Sequence, residues 1–237
     1  MSAQNMMVDT VDPDWKWLYR VGGISAIILG IAYIIIIALY VPVGVPPSGA
    51  EARLKYLAGN TTLWWMILGL SVLTDFLFVP VALSLYLALK SISKNVLLVA
   101  TGFVLLFVVS DLAITWTNYA SLITLSGHYA SATNNAERAV FVTAAIYPSI
   151  VLESSLLFVY NTLTPSVGIL MIGLVMRKGI FSKTTAYLGI ATGILGIVAV
   201  VGPFLVSALS TTIIFASILT TLWVMFAGYR LYRLGQQ

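Results

Sequence analysis

Six apolar stretches, each about 20 residues or longer, follow one another along this chain and limit what it can fold into. They occupy residues 21–42, 63–89, 96–125, 150–176, 185–206 and 210–231. A helix of about 20 apolar residues crosses the ~30 Å hydrocarbon core of a bilayer. Only 8% of the 237 residues are charged, whereas a soluble domain carries about 25%. The sequence therefore predicts an all-α fold, a polytopic transmembrane helical bundle forming one domain over residues 1–237 in a lipid bilayer.

The basic residues predict how the six spans are oriented. In a six-span arrangement, nine of the twelve lie on one side: Lys16, Arg20, Lys90, Lys94, Arg177, Lys178, Lys183, Arg230 and Arg233. The other side holds Arg53, Lys55 and Arg138. Since basic loops stay in the cytoplasm, both termini are predicted to be cytoplasmic, in the cell membrane. The acidic segment before span one, with Asp9 and Asp12, does not fit a cleaved signal peptide, so span one is expected to remain as an anchor.

Several functional classes are not supported by the composition. The net charge of +4 comes from scattered basic residues rather than from a patch, so we expect no nucleic-acid partner. The chain has no cysteine and a single histidine, His128, which excludes thiolate and multi-histidine metal sites. The sequence has no HExxH, GxSxG or P-loop motif. We therefore expect no enzymatic activity, no catalytic residue, no metal and no cofactor.

Two connections on the outer side are predicted to contain short helices. Residues 48–51, Ser-Gly-Ala-Glu, fit a capping box that opens the first of these helices. In the second connection, Asn134 and Glu137 form a plausible N-cap pair. The helix that follows is predicted to cover residues 139–147 and to end at Pro148, before span four begins.

Three carboxylates fall inside predicted spans and are the first candidates for a functional site. Asp75 and Asp111 lie near the middle of spans two and three, and Glu153 lies near the outer end of span four. A charge at the bilayer centre costs at least ~2.5–3.5 kcal/mol, so such residues are functional candidates by default. Because a short turn joins spans two and three, we expect them to pack as an antiparallel hairpin that brings the two aspartates together.

Other polar residues extend this candidate site. Thr115 and Asn118 follow Asp111 by four and seven positions, on one face of a regular helix, and Asn161 lies near the middle of span four. No Lys, Arg or His lies in the middle of a span, so the carboxylates have no predicted counter-ion within the chain. Three interpretations remain: protonated carboxyls hydrogen-bonded to neighbours, carboxylates that bind a proton, cation or amine, and carboxylates paired with another subunit.

Span five carries Gly189, Gly193 and Gly196 on one face. Small residues let helices approach closely in lipid. This face is predicted to pack against a neighbouring span of the same chain or, alternatively, against a second copy in a homo-oligomer.

Several short motifs resemble a family of prokaryotic six-span membrane proteins known as domain-of-unknown-function family 4386. They are the opening residues 20–23, the outer segment 54–57, the end of span three at 124–126, and the inner turn 176–183 leading into 187–189. The family commonly has a proline near the position of Ser182, which differs here. The resemblance implies a six-helix fold and supplies no activity or catalytic residues.

Two functions are consistent with these patterns. The first is binding or transport of a cation, proton or small amine in a cavity between spans two, three and four, with Asp75 and Asp111 as acidic ligands and Glu153 at the mouth. The alternative is a non-catalytic accessory or scaffold subunit of a larger membrane complex. The first predicts a hydrated cavity that reaches Asp75, and the second predicts a closed interior.

Overall fold

The computed structural model describes residues 13–237, and the acidic segment containing Asp9 and Asp12 lies outside it. Every regular element in this part of the chain is helical. The α-helices are α1 (Lys16–Val43), α2 (Ala50–Ala58), α3 (Thr61–Ser110), α4 (Thr117–Ser131), α5 (Asn135–Glu153), α6 (Ser155–Phe158), α7 (Thr164–Met176), α8 (Lys183–Val201) and α9 (Thr212–Leu234).

Five continuous helical stretches of residues 13–237 are long and apolar enough to cross a membrane: Lys16–Val43, Thr61–Ser131, Ser155–Met176, Lys183–Phe204 and Ser207–Leu234. Many of their large apolar side chains are exposed on the outside of the bundle, where lipid replaces water as the solvent. The prediction of an all-α, multi-pass membrane protein is thereby confirmed.

The longest stretch, Thr61–Ser131, folds back on itself at Ser93, whose backbone is not helical (φ −158°, ψ 83°). This residue divides α3 into α3a (61–92) and α3b (94–110). The rings of Phe78 on α3a and Phe107 on α3b meet edge-on with their centroids 5.6 Å apart. The two arms are therefore neighbours that run in opposite directions, as the short turn between spans two and three predicts.

The long helices form a closed ring in the order α1, α3a, α3b, α7, α8 and α9, with α9 returning to α1. Glycines mark the close approaches, because a Cβ added at each would collide with the next helix: Gly22 with Ser84, Gly168 with Ala100, Gly173 with Ile190, and Gly228 with Ala26. At one end of the ring, side chains fill the centre. At the other end, the centre contains a cavity.

The densely packed end of the ring holds most of the basic residues, and we call it the basic end. Direct contacts join three of its four chain segments: Arg20 Nε donates to Gly235 O at 2.6 Å, and Arg230 Nε donates to Ile180 O at 3.0 Å. At the fourth segment, the ammonium group of Lys90 lies 5.8 Å from the centre of the Trp15 ring. The sequence prediction that these segments share one side is thus consistent with the structure.

At the opposite end, α2, α4 and α5 form a cap with its own apolar core. The largest buried side chains of this core are Leu54, Leu57, Trp64, Ile67, Leu122 and Ile123. Trp64 stacks on Tyr119 with ring centroids 4.9 Å apart, which ties the start of α3 to α4. The cap is therefore a packed unit above one side of the ring.

The predicted helix in the first cap connection forms, but the predicted capping box is wrong. Gly49, with a φ of 87° that favours glycine, is the N-cap residue of α2, and no side-chain cap comes from within the helix. Its N–H instead donates to Glu153 Oε1 at 2.9 Å. Glu51 turns away and accepts a hydrogen bond from Tyr129 at 3.0 Å. Glu153, which is distant in sequence, therefore takes the acceptor role at the start of α2 that the capping box assigned to Glu51.

The second cap helix is longer than predicted. The N-cap pair is confirmed, because Glu137 N donates to Asn134 Oδ1 at 2.8 Å. The helix then runs over Asn135–Glu153 and continues through Pro148, so its predicted end at residue 147 is wrong. The fourth long stretch begins at Ser155 rather than at 150, after an extended Ser154. The cost of a proline inside the helix is offset because the turn beyond it docks onto α2.

Candidate functional site

Two π-helical turns interrupt the long helices at the same level of the bundle. The first, Asp111–Trp116, joins α3 to α4, and the second, Val159–Leu163, joins α6 to α7. Asn161 on the second turn donates its amide hydrogen to Thr115 Oγ1 on the first at 2.7 Å. A π turn inserts an extra residue and redirects side chains, and such turns occur often at functional sites. Here they bring polar groups of two spans together.

The two predicted aspartates do approach each other, and Trp116 lies between them. Its indole N–H donates to Asp75 Oδ2 at 3.0 Å and to Asp111 Oδ2 at 3.1 Å. Both residues are nearly buried, with exposed fractions of 2% for Asp75 and 6% for Asp111. Trp116 is not among the residues that the sequence patterns predict for the site. Its position five residues after Asp111 was the available signal.

A cavity of about 410 Å³ lies beside this cluster, in the half of the ring nearest the cap. Its walls come from α1, both arms of α3, segment 161–169, α8 and α9. Asp111 and Asn161 line the cavity. Asp75 and Thr115 do not line it, but Asp75 shares the Trp116 donor with Asp111 and Thr115 is bonded to Asn161. Spans two, three and four contribute to the wall as predicted, but the predicted location is incomplete, because helices α1, α8 and α9 supply much of it.

Three polar side-chain atoms of residues that line this cavity have no hydrogen-bond partner. They are Asp111 Oδ1, Asn161 Oδ1 and Thr192 Oγ1, and all three are buried. Nearly all buried polar groups in proteins are hydrogen-bonded to protein, water or ligand. No Lys, Arg or His is among the described residues that line the cavity. The residues of the wall thus include a carboxyl oxygen and an amide oxygen that lack a partner within the protein.

Asn118 does not belong to this site. Its side-chain amide donates to Ile114 O at 2.6 Å, within its own helix. The predicted common face with Asp111 assumed a regular α-helix, and the π turn between the two residues changes that phase. The structure therefore does not bring Asn118 to the cavity with Asp111 and Asn161.

Glu153 lies in the cap and has a counter-ion, which corrects the expectation that no carboxylate of the group has one. Arg53 Nη2 lies 3.1 Å from Glu153 Oε1, and the arginine side chain is only 6% exposed. Arg53 also donates to the backbone oxygens of Pro47 at 3.3 Å and Ser149 at 3.2 Å. Glu153 does not line the cavity. Its contacts hold α2 and α5 together rather than forming a mouth.

The three glycines of α8 face neighbours within the same chain. A Cβ on Gly189 would meet Trp223 and Gly173, and one on Gly193 would meet Ser166 O at 2.7 Å. A Cβ on Gly196 would collide with Ser166 Oγ. These contacts with α7 and α9 fit the internal-packing interpretation.

No group of three or more His, Cys, Asp or Glu side chains within residues 13–237 is arranged to hold a metal ion. The site thus consists of a carboxyl pair bridged by an indole, an amide–hydroxyl pair, and an adjoining cavity.

Comparison with known proteins gives one match. No curated protein and no solved structure matches the chain. Residues 21–231 match the family described as Domain of unknown function (DUF4386), in agreement with the resemblance in the short motifs. This match covers the cap, the ring and every residue of the site described above, and the chain therefore belongs to the DUF4386 family.

Proposed function

We propose that this protein binds a cation in the cavity at Asp111, with transport as the biological purpose, and that it has no catalytic activity. The observation that carries the proposal is the carboxyl of Asp111, 94% buried on the wall of a cavity of about 410 Å³. Its Oδ1 has no hydrogen-bond partner at bonding distance, and its polar neighbours Thr115, Trp116 and Asn161 are uncharged. An unpaired carboxylate is expensive at this depth, so either a proton or a cation must neutralise it. The indole N–H of Trp116 satisfies only the other oxygen.

Proton and cation compete for the same oxygen in this proposal. The titratable groups around Asp111 are Asp75, through Trp116, and Tyr33 and Tyr40 on the cavity wall. None of them carries a positive charge that would stabilise the ionised carboxylate of Asp111 in place of a bound cation. The affinity for a cation is therefore expected to rise with pH as the proton is removed.

Thermal unfolding of the purified protein with a panel of cations tests this function. We expect at least one cation to raise the melting temperature of the wild type, more at pH 8 than at pH 6, and to leave Asp111→Asn unchanged. Asn118→Ala is the matched control, because Asn118 is polar and lies on the same span but bonds only its own helix. Equal shifts in wild type and Asp111→Asn, or no shift with any cation, would exclude the proposal.

The proposal also includes six crossings with both termini in the cytoplasm. The Thr61–Ser131 stretch has 71 residues, far more than the roughly 20 needed for one crossing, and Ser93 divides it into two antiparallel arms. The positive-inside rule then places the basic end in the cytoplasm and the cap outside.

The absence of cysteine from the chain makes this topology easy to test. Single-cysteine variants Ser91→Cys, at the turn between the α3 arms, and Ala136→Cys, on α5, both replace exposed residues. A membrane-impermeant maleimide applied to intact cells is expected to label only Ala136→Cys, and both variants after lysis. Labelling of Ser91→Cys in intact cells would overturn the orientation.

The alternative, an accessory or scaffold subunit, is less well supported. It predicts a closed interior, whereas the ring encloses a cavity of about 410 Å³. The binding or transport hypothesis predicts a cavity that reaches Asp75, and the cavity reaches Asp111 instead. A homo-oligomer or a host complex is compatible with either function and remains a prediction.

A further inference from the structure

The cavity is larger and more apolar than an inorganic cation requires. Its volume is about 410 Å³, and an engineered apolar cavity of about 150 Å³ already binds benzene. Phe78, Phe107 and Ile169 form part of its wall. Hard cations prefer six or more oxygen ligands, whereas Asp111 and Asn161 offer two unpartnered carboxyl and amide oxygens. This wall suits a molecule with one cationic head and an apolar body.

The cavity opens sideways, between the cap-side halves of α1 and α9. Near the basic end these two helices touch closely, because a Cβ on Gly30 would collide with Met225. Toward the cap, Ile37 and Ser217 line the cavity and are also exposed at the surface. The cap packs on the end of α1 through Leu39, Tyr40 and Val43, but none of the described residues of its apolar core comes from α9.

The surface around this opening is apolar. Ile34 and Ile35 on α1 are exposed, as are Ile214 and Ile218 on α9. Such a surface on a membrane-spanning bundle faces lipid tails rather than water. The route into the cavity therefore starts in the bilayer.

We propose that the ligand is an amphipathic organic amine that enters from the bilayer between α1 and α9. Its ammonium group binds Asp111 Oδ1 and Asn161 Oδ1, and its apolar body fills the remainder of the cavity. This inference rests on the proposed cation-binding function and deepens it by naming the ligand class and the entrance. The rings of Tyr33 and Tyr40 on the wall add a surface that attracts cations.

Equilibrium binding to the full-length protein in lipid nanodiscs tests the ligand class. The probes are n-octylammonium, n-butylammonium, methylammonium and K⁺, with n-octanol as the uncharged match for the first. Affinity referred to aqueous concentration is expected to rise about fourfold per methylene from methyl to octyl. Asp111→Asn is expected to weaken octylammonium at least tenfold and to leave octanol unchanged, because only the ammonium group uses the carboxylate.

The outcomes separate the two proposals. If K⁺ or methylammonium binds through Asp111 as tightly as octylammonium, cation binding stands and the amphipathic-amine inference is wrong. If no cation distinguishes wild type from Asp111→Asn, the proposed function fails and this inference fails with it. If octanol binds the wild type as tightly as octylammonium, the cavity takes apolar molecules without using its charge, which also overturns the inference. This last comparison needs no variant.

The entrance is tested by the association rate of octylammonium. Ile37→Trp places a bulky ring at the opening and is expected to slow association at least tenfold. Ile31→Trp is the matched control, since Ile31 is equally exposed on α1 but does not line the cavity. Equal rates in both variants would show that the ligand enters elsewhere.

Discussion

Replacement of Arg53 by methionine is expected to loosen the cap far more than the same change at Lys55. Both residues lie on the nine-residue helix α2, and each pairs with a glutamate. Arg53 is 6% exposed at its side chain, whereas Lys55 is 62% exposed. Exposed ion pairs contribute little to stability, because water and salt screen them and the side chains lose entropy on pairing.

The magnitude follows from the three groups that Arg53 binds. A hydrogen bond from a charged donor contributes about 1.5–3 kcal/mol, and bonds of 3.1–3.3 Å fall at the weak end of that range. Glu153 is 37% exposed and regains water when its partner is lost, which lowers the penalty below that of a fully buried pair. Methionine preserves much of the apolar stem. We therefore expect Arg53→Met to destabilise the docked cap by about 2–4 kcal/mol.

Amide hydrogen exchange of segment 50–58 in nanodiscs measures this directly. Since 1.4 kcal/mol corresponds to a factor of ten, exchange in Arg53→Met should be roughly 30- to 700-fold faster than in wild type. Lys55→Met should leave the exchange rate within a factor of about three. A change smaller than threefold in Arg53→Met, or an equal change in both variants, would refute the argument that burial sets the strength of these pairs.

Three further predictions concern the ring, the indole bridge and the cap. Gly173→Ala should destabilise the bundle by about 1–3 kcal/mol in thermal unfolding, because the added Cβ would lie 2.8 Å from a backbone nitrogen of α8. Gly102→Ala is the control and should not destabilise the bundle, because the space around Gly102 is open. Equal effects of the two changes would contradict the packing assignment. Trp116→Phe should cost about 1–3 kcal/mol in the same assay, because two buried carboxyl oxygens lose their donor, and an unchanged melting temperature would show that the bridge is not formed. Hydrogen bonds from Lys55 and from Tyr129 lower the pKa of Glu51 below its ordinary value of 4.5. Glu51 therefore stabilises the cap fully above about pH 4.5, and this stabilisation is lost as the pH falls through the lowered pKa. Glu51→Gln should flatten the acid dependence of hydrogen exchange in α2, and an unaltered dependence would count against this role of Glu51.

The bundle was predictable because membrane crossing imposes a length and an apolar composition that each stretch shows locally. The Asp75–Asp111 approach was also predictable, since a short turn forces spans two and three into contact. The cavity was misplaced because the order of helices around a ring is set by helix–helix packing, and glycines such as Gly22 and Gly228 show this only once their neighbours are known. The residue pattern of a single helix does not determine the order of the helices around the ring.

The remaining errors have a common physical origin in non-local contacts. The Arg53–Glu153 pair joins residues 100 positions apart, and it replaces a capping box that the local sequence favours. The π turns at Asp111–Trp116 and Val159–Leu163 cannot be recognised from amino-acid composition. They nevertheless orient the side chains, so that Trp116 contacts the two aspartates and Asn118 lies apart from them. Asp111 and Asn161, two residues predicted for the site, both line the cavity.

Ligand protection of a single cysteine inside the cavity tests the central claim most directly. Thr162→Cys replaces a cavity-lining residue, and Thr143→Cys replaces an exposed residue on the cap as the control. We expect a small methanethiosulfonate reagent to modify both, n-octylammonium to slow only Thr162→Cys by at least tenfold, and this protection to vanish when Asp111→Asn is added. If octylammonium does not protect Thr162→Cys, or still protects it fully without the carboxylate, then Asp111 does not hold an amphipathic ammonium ion in this cavity.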